Sequence, residues 1–353
     1  MNRINSGVIT ILALMFAFSG LALAAEEQHQ HHMQHKQHEE HKQHQVGNVQ
    51  HEHIHHVHKA GSWMVDYRFM RMDMRQMLAG SNNVQTSSVA KRGSVFINSA
   101  GGNYMMAPTK MSMDMHMLMA MYAQSDALSW MVMANYLDNR MDMLAMSGVT
   151  SQMSAKGMGD GEITVMYKLH HEKSRQLLVN LGLSLPIGKI TNSNAQGMLP
   201  YQMQLGSGSW DLKPSITYRD GSGILGWGAQ GSYIYRTAKN SQDYALGDRA
   251  EAQLWLKVNP LKSGAVTLRL SYADWQKIDG RAKGMTMMQR NMSPLFDTVN
   301  SGGRRMDLSL GYSHMFGSGH MIGVEYGRPL LQDLNGVQMK AYQMLSASWQ
   351  VMF

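Results

Sequence analysis

Apolar and polar residues alternate along most of this chain. From Leu177 to Leu185 the odd positions are aliphatic, while Asn180, Gly182 and Ser184 take even ones. Ile163, Val165, Tyr167 and Leu169 oppose Glu162, Thr164, Met166 and Lys168, and similar alternation marks 225–235, 252–258 and 266–272. A period of two belongs to a β-strand, whose successive side chains point to opposite faces; a helix would spread these residues round its axis. The pattern predicts strands near 62–74, 110–122, 128–137, 161–170, 176–186 and 208–219. It predicts six more near 223–236, 248–258, 264–273, 303–314, 319–327 and 338–353. Twelve is an even number, as single-chain bacterial barrels require. Val89 to Asn98 fits either a further strand or a piece of plug or loop.

Alternation suits a soluble sandwich as well as a membrane barrel. Three features favour the barrel. Several apolar faces end in Tyr or Trp, as an interfacial girdle requires. Ile190 to Ser207 and Lys277 to Gly303 are long and polar, which suits outer loops opposite short periplasmic turns. The chain stops on SASWQVMF, with Trp349, Val351 and Phe353 on one face, and this ending resembles the assembly signal of bacterial outer-membrane barrels. The expected fold is all-β: an antiparallel transmembrane β-barrel of about 12 strands over 61–353, preceded by a disordered tail.

The first 24 residues read as a signal peptide. Arg3 lies in a basic start, an apolar run follows from Val8 to Leu23, and Ala22-Leu23-Ala24 forms a small-residue cleavage site. Ser19 and Gly20 interrupt that run, which is shorter than the ~20 residues of a spanning helix. The chain has no cysteine, so neither disulfides nor thiolate metal sites enter.

Residues 25–60 carry too little apolar surface to order themselves and are expected to form a disordered periplasmic tail. Of 17 histidines in the chain, twelve fall here: His29, His31, His32, His35, His38, His41, His44, His51, His53, His55, His56 and His58. Neutral imidazoles bind Cu(II), Zn(II) or Ni(II), and the irregular spacing suits a flexible chelator rather than one fixed geometry.

The formal charge of +7 does not point to nucleic acid, because no basic block or aromatic-interleaved basic strip accompanies it. No catalytic constellation is evident either. Gly311-Tyr312-Ser313-His314 lacks the last glycine of a nucleophile elbow, GSGSW at Gly206 to Trp210 fails the same pattern, and no phosphate-binding loop occurs. The chain is read as a non-enzyme, with Asp66, Arg68 and Glu162 as pore-lining charges.

Methionine is concentrated. The chain has 36, of which twenty lie from Met64 to Met158. In 62–74, Trp63, Val65, Tyr67 and Phe69 form a lipid-like face, so Met64, Asp66, Arg68, Met70, Met72 and Met74 share the lumenal one. Likewise Leu128, Trp130, Val132 and Tyr136 oppose Ser129, Met131, Met133 and Asn135. The strand between them is ambiguous, because Met111, Met113, Met115, Met117, Met119 and Met121 form one complete face. The expectation is that these six face lipid and that Asp114 and His116 form a lumenal carboxylate–imidazole pair, since a carboxylate in mid-membrane is costly. Thioethers select Cu(I) and Ag(I), whereas imidazole and carboxylate accept Cu(II) or Zn(II). The candidate metal ligands are therefore the twelve tail histidines with Met70, Met72, Met74, Met111, Met113, Asp114, Met115, His116, Met117, Met131 and Met133. Copper, or another soft or borderline ion, is the metal they suit, and no cofactor is required.

SAKGMGDGEITVMYKL followed by VNLGLSLPIGKI resembles the bacterial outer-membrane transporter family of the MetA pathway of phenol degradation. The motifs are short: Gly157-x-Gly159-Asp160 before a strand, and Ser184-Leu185-Pro186-x-Gly188 after one. The resemblance implies a monomeric channel-like barrel. A looser likeness, in architecture, is to the outer-membrane copper-resistance protein CopB, which also joins a Met/His-rich start to a barrel. The expected function is an outer-membrane transporter or channel that handles or confers resistance to copper-like ions. The alternatives are a channel for small hydrophobic or aromatic molecules and a metal-storing surface protein. Expected partners are outer-membrane lipid, the barrel assembly machinery, and metal ions or small hydrophobic solutes.

Overall fold

A computed structural model describes residues 59–172, 174–261 and 263–353. The segment read as a signal peptide and the twelve histidines of the expected tail, His29 to His58, lie outside the described residues.

The first half of the chain supplies the long strands β1 (Trp63–Gly80), β2 (Met106–Ala123), β3 (Leu128–Ala145), β4 (Thr150–Met158), β5 (Gly161–Glu172) and β6 (Arg175–Leu185). The second half supplies β7 (Asp211–Ser222), β8 (Leu225–Arg236), β9 (Arg249–Val258), β10 (Gly264–Trp275), β11 (Gly303–Met315) and β12 (His320–Met352). Antiparallel pairing runs β12-β11-β10-β9-β8-β7-β6-β5-β3-β2-β1 and returns to β12, so the sheet closes on itself. Closure removes the exposed edges that an open sheet would present. Two further strands of this sheet stand outside the ring: β4 pairs with β3 beyond the end of β5, and Asn82–Val84 pairs with β1.

Eleven elements thus form the ring, where twelve strands were expected. The difference is at the end of the chain, where the expected strands 319–327 and 338–353 belong to the single 33-residue element β12. Straight, it would run roughly 110 Å, so it cannot be one pass. It turns back instead: Met321–Leu334 pairs with β11, while 337–352 pairs with β1. Gly336 makes the turn at φ 64, where a Cβ would fall 2.2 Å from Asn300 Oδ1. Val89 to Asn98 is no strand: it holds the end of a short helix (Thr86–Val89) and one isolated bridge, Ile97 to Asn103.

The ends of the barrel differ. The short connections from β2 to β3, β5 to β6, β7 to β8, β9 to β10 and β11 to β12 lie at the end where the chain stops. There Trp63 and Phe353 exchange backbone hydrogen bonds of 2.8 and 3.0 Å. The long connections 81–105, 186–210, 237–248 and 276–302 gather at the other end. They fold over it and pack together: Met198, Tyr201, Tyr244, Ala282, Met285 and Phe296 form one buried cluster.

The exposed side of the alternating strands is the apolar one. Trp130, Val132, Leu181, Leu256, Leu268 and Leu310 point outward, while Thr164, Asn180, Thr217 and Arg269 are buried within. This reverses the pattern of a soluble sandwich and presents far more contiguous apolar surface than a water-soluble monomer carries. Aromatic rings mark the tight-turn end of the belt, with Trp63 on Tyr122 at 4.8 Å and His320 stacked on Trp349 at 5.8 Å. Among the described residues no helix is long and apolar enough to cross a membrane, which says nothing of strands.

β1, β2 and β3 are each 18 residues long, against 10 to 13 for β5 through β11. Since about 9–11 tilted residues cross a bilayer, these three form a taller stretch of wall. In β1 a bulge at Gln76, φ 66, shifts the register and hands the inward side from even to odd positions, which is why Met77 is buried.

Candidate functional site

The tall wall determines what lines the lumen. On β1 the even residues Met64, Asp66, Arg68, Met70, Met72 and Met74 face inward. Pairing sets Met64 opposite Met121, Met70 opposite Met115, Met72 opposite Met113 and Met74 opposite Met111. On the far side of β2, Met121 meets Met131, Met119 meets Met133 and Met111 meets Met141. Directly opposed residues hold their Cβ atoms about 4.5–5.5 Å apart, so the thioethers lie in rows across the strands. One row is Met352, Met64, Met121 and Met131; another is Met74, Met111, Met141 and Met153.

The expected orientation of the 111–121 stripe is therefore corrected. Met111 and Met121 are each 1% exposed, whereas Leu118 is 56% exposed. All six methionines face the lumen, and Asp114 and His116 are on the outer face. Asp114 lies 3.6 Å from Arg71, and His116 Nδ1 is 2.7 Å from the Tyr67 hydroxyl with its ring against Phe69 at 5.1 Å. The carboxylate is tolerated there because it is not at mid-membrane. It stands eight residues from Tyr122 of the aromatic belt, about 20 Å of height at a tilt near 40°, against an apolar band about 25 Å tall. Arg71 also partners it.

The thioether wall has three levels. Near the tight turns Met64, Met119, Met121, Met131, Met166 and Leu178 bury one another. Near the loops Met111, Met141 and Met143 pack with Leu199, Met203, Leu205 and Leu295. Those last four come from the long connections, so an apolar plug closes this end. Between the two levels Met70, Met72, Met113, Met115 and Met117 are half-buried. This middle level is the candidate site.

The opposite wall is ionic. Glu162 on β5 accepts from Lys213 Nζ at 2.7 Å and from Thr164 Oγ1 at 2.8 Å. Arg219 donates to Gln176 at 3.0 Å, Arg269 lies 3.5 Å from Glu325, and Arg305 is 2.9 Å from Asp307. The two walls meet at Arg305, whose guanidinium nitrogens are each 3.8 Å from the sulfurs of Met72 and Met344. Gln350 Nε2 donates to Met64 Sδ at 2.9 Å. A solute in the middle level would touch polarizable sulfur on one side and fixed charge on the other.

The plug is held by a polar network. Tyr104 donates to Asp297 at 3.1 Å and accepts from Asn300 Nδ2 at 2.8 Å, while Asn300 Oδ1 accepts from Val337 N at 2.9 Å. Burial pushes the Tyr104 phenol above its usual range, and burial raises Tyr244 to about 12. Both stay neutral at ordinary pH.

The structure brings Met70, Met72, Met74, Met111, Met113, Met115, Met117, Met131 and Met133 onto one inner wall and leaves Asp114 and His116 off it. Among the described residues no group of three His, Asp or Glu could hold a metal ion. Sequence reading missed Met344, Met352, Arg305 and Gln350. The signal was available for the first two: a closed barrel must pair its last strand with its first.

No family model matches the chain, and no curated protein matches it by sequence. The COG4313 outer membrane channel from Pseudomonas putida F1 shares its fold, with a TM-score of 0.57 at 15% identity over 83% of this chain and 96% of that one. Two slighter likenesses are too distant to separate one barrel function from another. The Pseudomonas putida toluene transporter TodX gives a TM-score of 0.41 at 9% identity, covering 83% of this chain and 89% of that one. The β domain of the Bordetella autotransporter Brka gives 0.43 at 9% identity, covering 83% and 100%. The resemblance to the phenol-degradation family rests on its short motifs, and the likeness to CopB on composition and architecture.

Proposed function

We propose that the chain is an outer-membrane channel that passes small apolar or aromatic molecules along the thioether wall. One observation carries the reading: half-buried methionines line mid-lumen inside a closed barrel whose outside is an apolar belt. Thioethers are apolar, flexible and polarizable, and sulfur makes favourable contacts with aromatic rings, so such a wall accepts varied solutes without fixing one. The loop plug excludes bulk water from the path. The fold shared with an outer membrane channel agrees with this reading. The short-turn end and Phe353 then face the periplasm, as in barrels built by the assembly machinery. The test is uptake into proteoliposomes: naphthalene enters faster through the protein than a sugar of similar size. Equal rates for the two would remove the proposal.

A second reading, passage or holding of a soft ion such as Cu(I) or Ag(I), is favoured by the thioether rows themselves. Its test is Ag(I) titration of the folded barrel lacking residues 26–59. Binding there supports a metal role for the wall. No binding leaves metal capture to the tail histidines.

A further inference from the structure

On the outer face, where β12 turns back beside β1, two guanidiniums hold one ring. Arg75 lies 4.9 Å and Arg328 4.8 Å from the centre of Tyr342. Lys340, two residues before Tyr342, adds a third cation, with its Nζ donating to Asn83 at 3.1 Å. Among the described residues neither Arg75 nor Arg328 has a carboxylate within ion-pair distance. The nearby acids are engaged elsewhere: Asp73 with Arg71 at 3.3 Å and Gln343 at 2.8 Å, Asp333 with Arg304 at 2.8 Å. Like charges gathered on one exposed ring repel each other unless an anion joins them.

An apolar slot of about 270 Å³ adjoins this clamp on the same outer surface. Val266, Leu310, Tyr312, Val324, Tyr326 and Leu345 line it. Tyr326 is the next outward residue before Arg328 on β12, and its hydroxyl donates to Gln343 at 3.4 Å, beside Tyr342. Slot and clamp are thus one continuous feature, apolar below and cationic above. That is the shape of an amphiphile with an anionic head. Clustered basic side chains attract anionic headgroups, and tyrosines sit at headgroup level.

We infer that this feature binds a phosphorylated lipid of the outer leaflet, its phosphate on Arg75 and Arg328 and an acyl chain in the slot. The inference rests on the outer-membrane reading but not on which solute the lumen passes. The test is native mass spectrometry of the full chain in detergent, titrated with diphosphoryl lipid A and separately with its dephosphorylated form. Heat-modifiable gel migration confirms folding, and insertion into vesicles checks the membrane reading independently.

The wild type should prefer the phosphorylated lipid at least tenfold. Arg75→Gln with Arg328→Gln should erase that preference, and Val324→Trp, which fills the slot, should weaken both lipids while leaving the fold intact. Equal binding of the two lipids by the wild type, or an unchanged preference in the double variant, overturns the inference. So does complete displacement by inorganic phosphate alone, since that would make the clamp an anion site without a lipid.

Discussion

Asp160 accepts a hydrogen bond of 3.0 Å from the backbone N–H of Gly188. Its other oxygen accepts two from Ser207, 2.6 Å from the N–H and 2.9 Å from Oγ. One carboxylate at the break between β4 and β5 therefore ties down both ends of the segment that carries Leu199, Met203 and Leu205 onto the methionine wall. The two short motifs that suggested a family meet at this point. Replacing Asp160 with Ala leaves the N–H groups of Gly188 and Ser207 without their acceptor. Hydrogen bonds to charged groups contribute about 1.5–3 kcal/mol each, so Asp160→Ala should loosen the plug while the barrel remains folded. Single-channel conductance should rise at least twofold; unchanged conductance would show that the segment is held by its apolar contacts alone.

The neighbouring glycine is fixed by contact. A Cβ on Gly159 would lie 1.9 Å from Asn135 Oδ1, and Asn135 in turn donates to the Asp160 carbonyl at 2.6 Å. Gly159→Ala should lower the yield of the heat-resistant folded form several-fold on refolding, and pairing it with Asn135→Ala should restore much of that yield. A single variant that refolds like the wild type would contradict the packing described.

Exchanging Met113, Met115 and Met117 for Leu separates the two readings of the lumen. Leu nearly conserves volume and apolarity, a swap that usually costs under about 1.5 kcal/mol, but it removes the sulfur donors. Uptake of apolar solutes should stay within about threefold of wild type, whereas any Ag(I) binding by the barrel should fall. A large loss of naphthalene uptake would mean that sulfur itself is required.

The plug also predicts an alkaline response. Tyr244 titrates near 12 in the folded chain because burial disfavours its phenolate, against about 10 when exposed. A raised pKa means its stabilising contribution is complete below pH 10 and is lost as pH climbs toward 12. Conductance should therefore rise between pH 10 and 12, and the Tyr244→Phe variant should show a smaller rise. A flat profile in the wild type would count against a plug seated on this residue.

Much of the barrel was legible because alternation survives wherever one face meets lipid. The strands expected at 223–236 and 248–258 appear as Leu225–Arg236 and Arg249–Val258. The lengths of β1 to β3 were not legible. Asp138 and Arg140 interrupt the apolar face just past the expected end at 137, yet the strand runs on to Ala145. The stripe at 111–121 was ambiguous for a different reason. Alternation identifies two faces without saying which is inside, and the answer lies in the register with Met64 and Met131, a long-range fact. The first pass of β12 was expected to stop at 327 because Gly327-Arg328-Pro329 breaks the pattern, but the chain carries the irregularity as a register shift opposite Met306 and Asp307 and stays paired to Leu334.

The absence of cysteine from the chain makes the central claim directly testable. Cysteine is placed at Met115, on the lumenal wall, or at Leu118, on the lipid face, and each is capped with a bulky maleimide before uptake of naphthalene is measured in proteoliposomes. If the thioether wall is the path, the cap at 115 blocks uptake and the cap at 118 leaves it intact. Uptake that continues with 115 capped, or that fails only when 118 is capped, would place the path elsewhere and contradict the account.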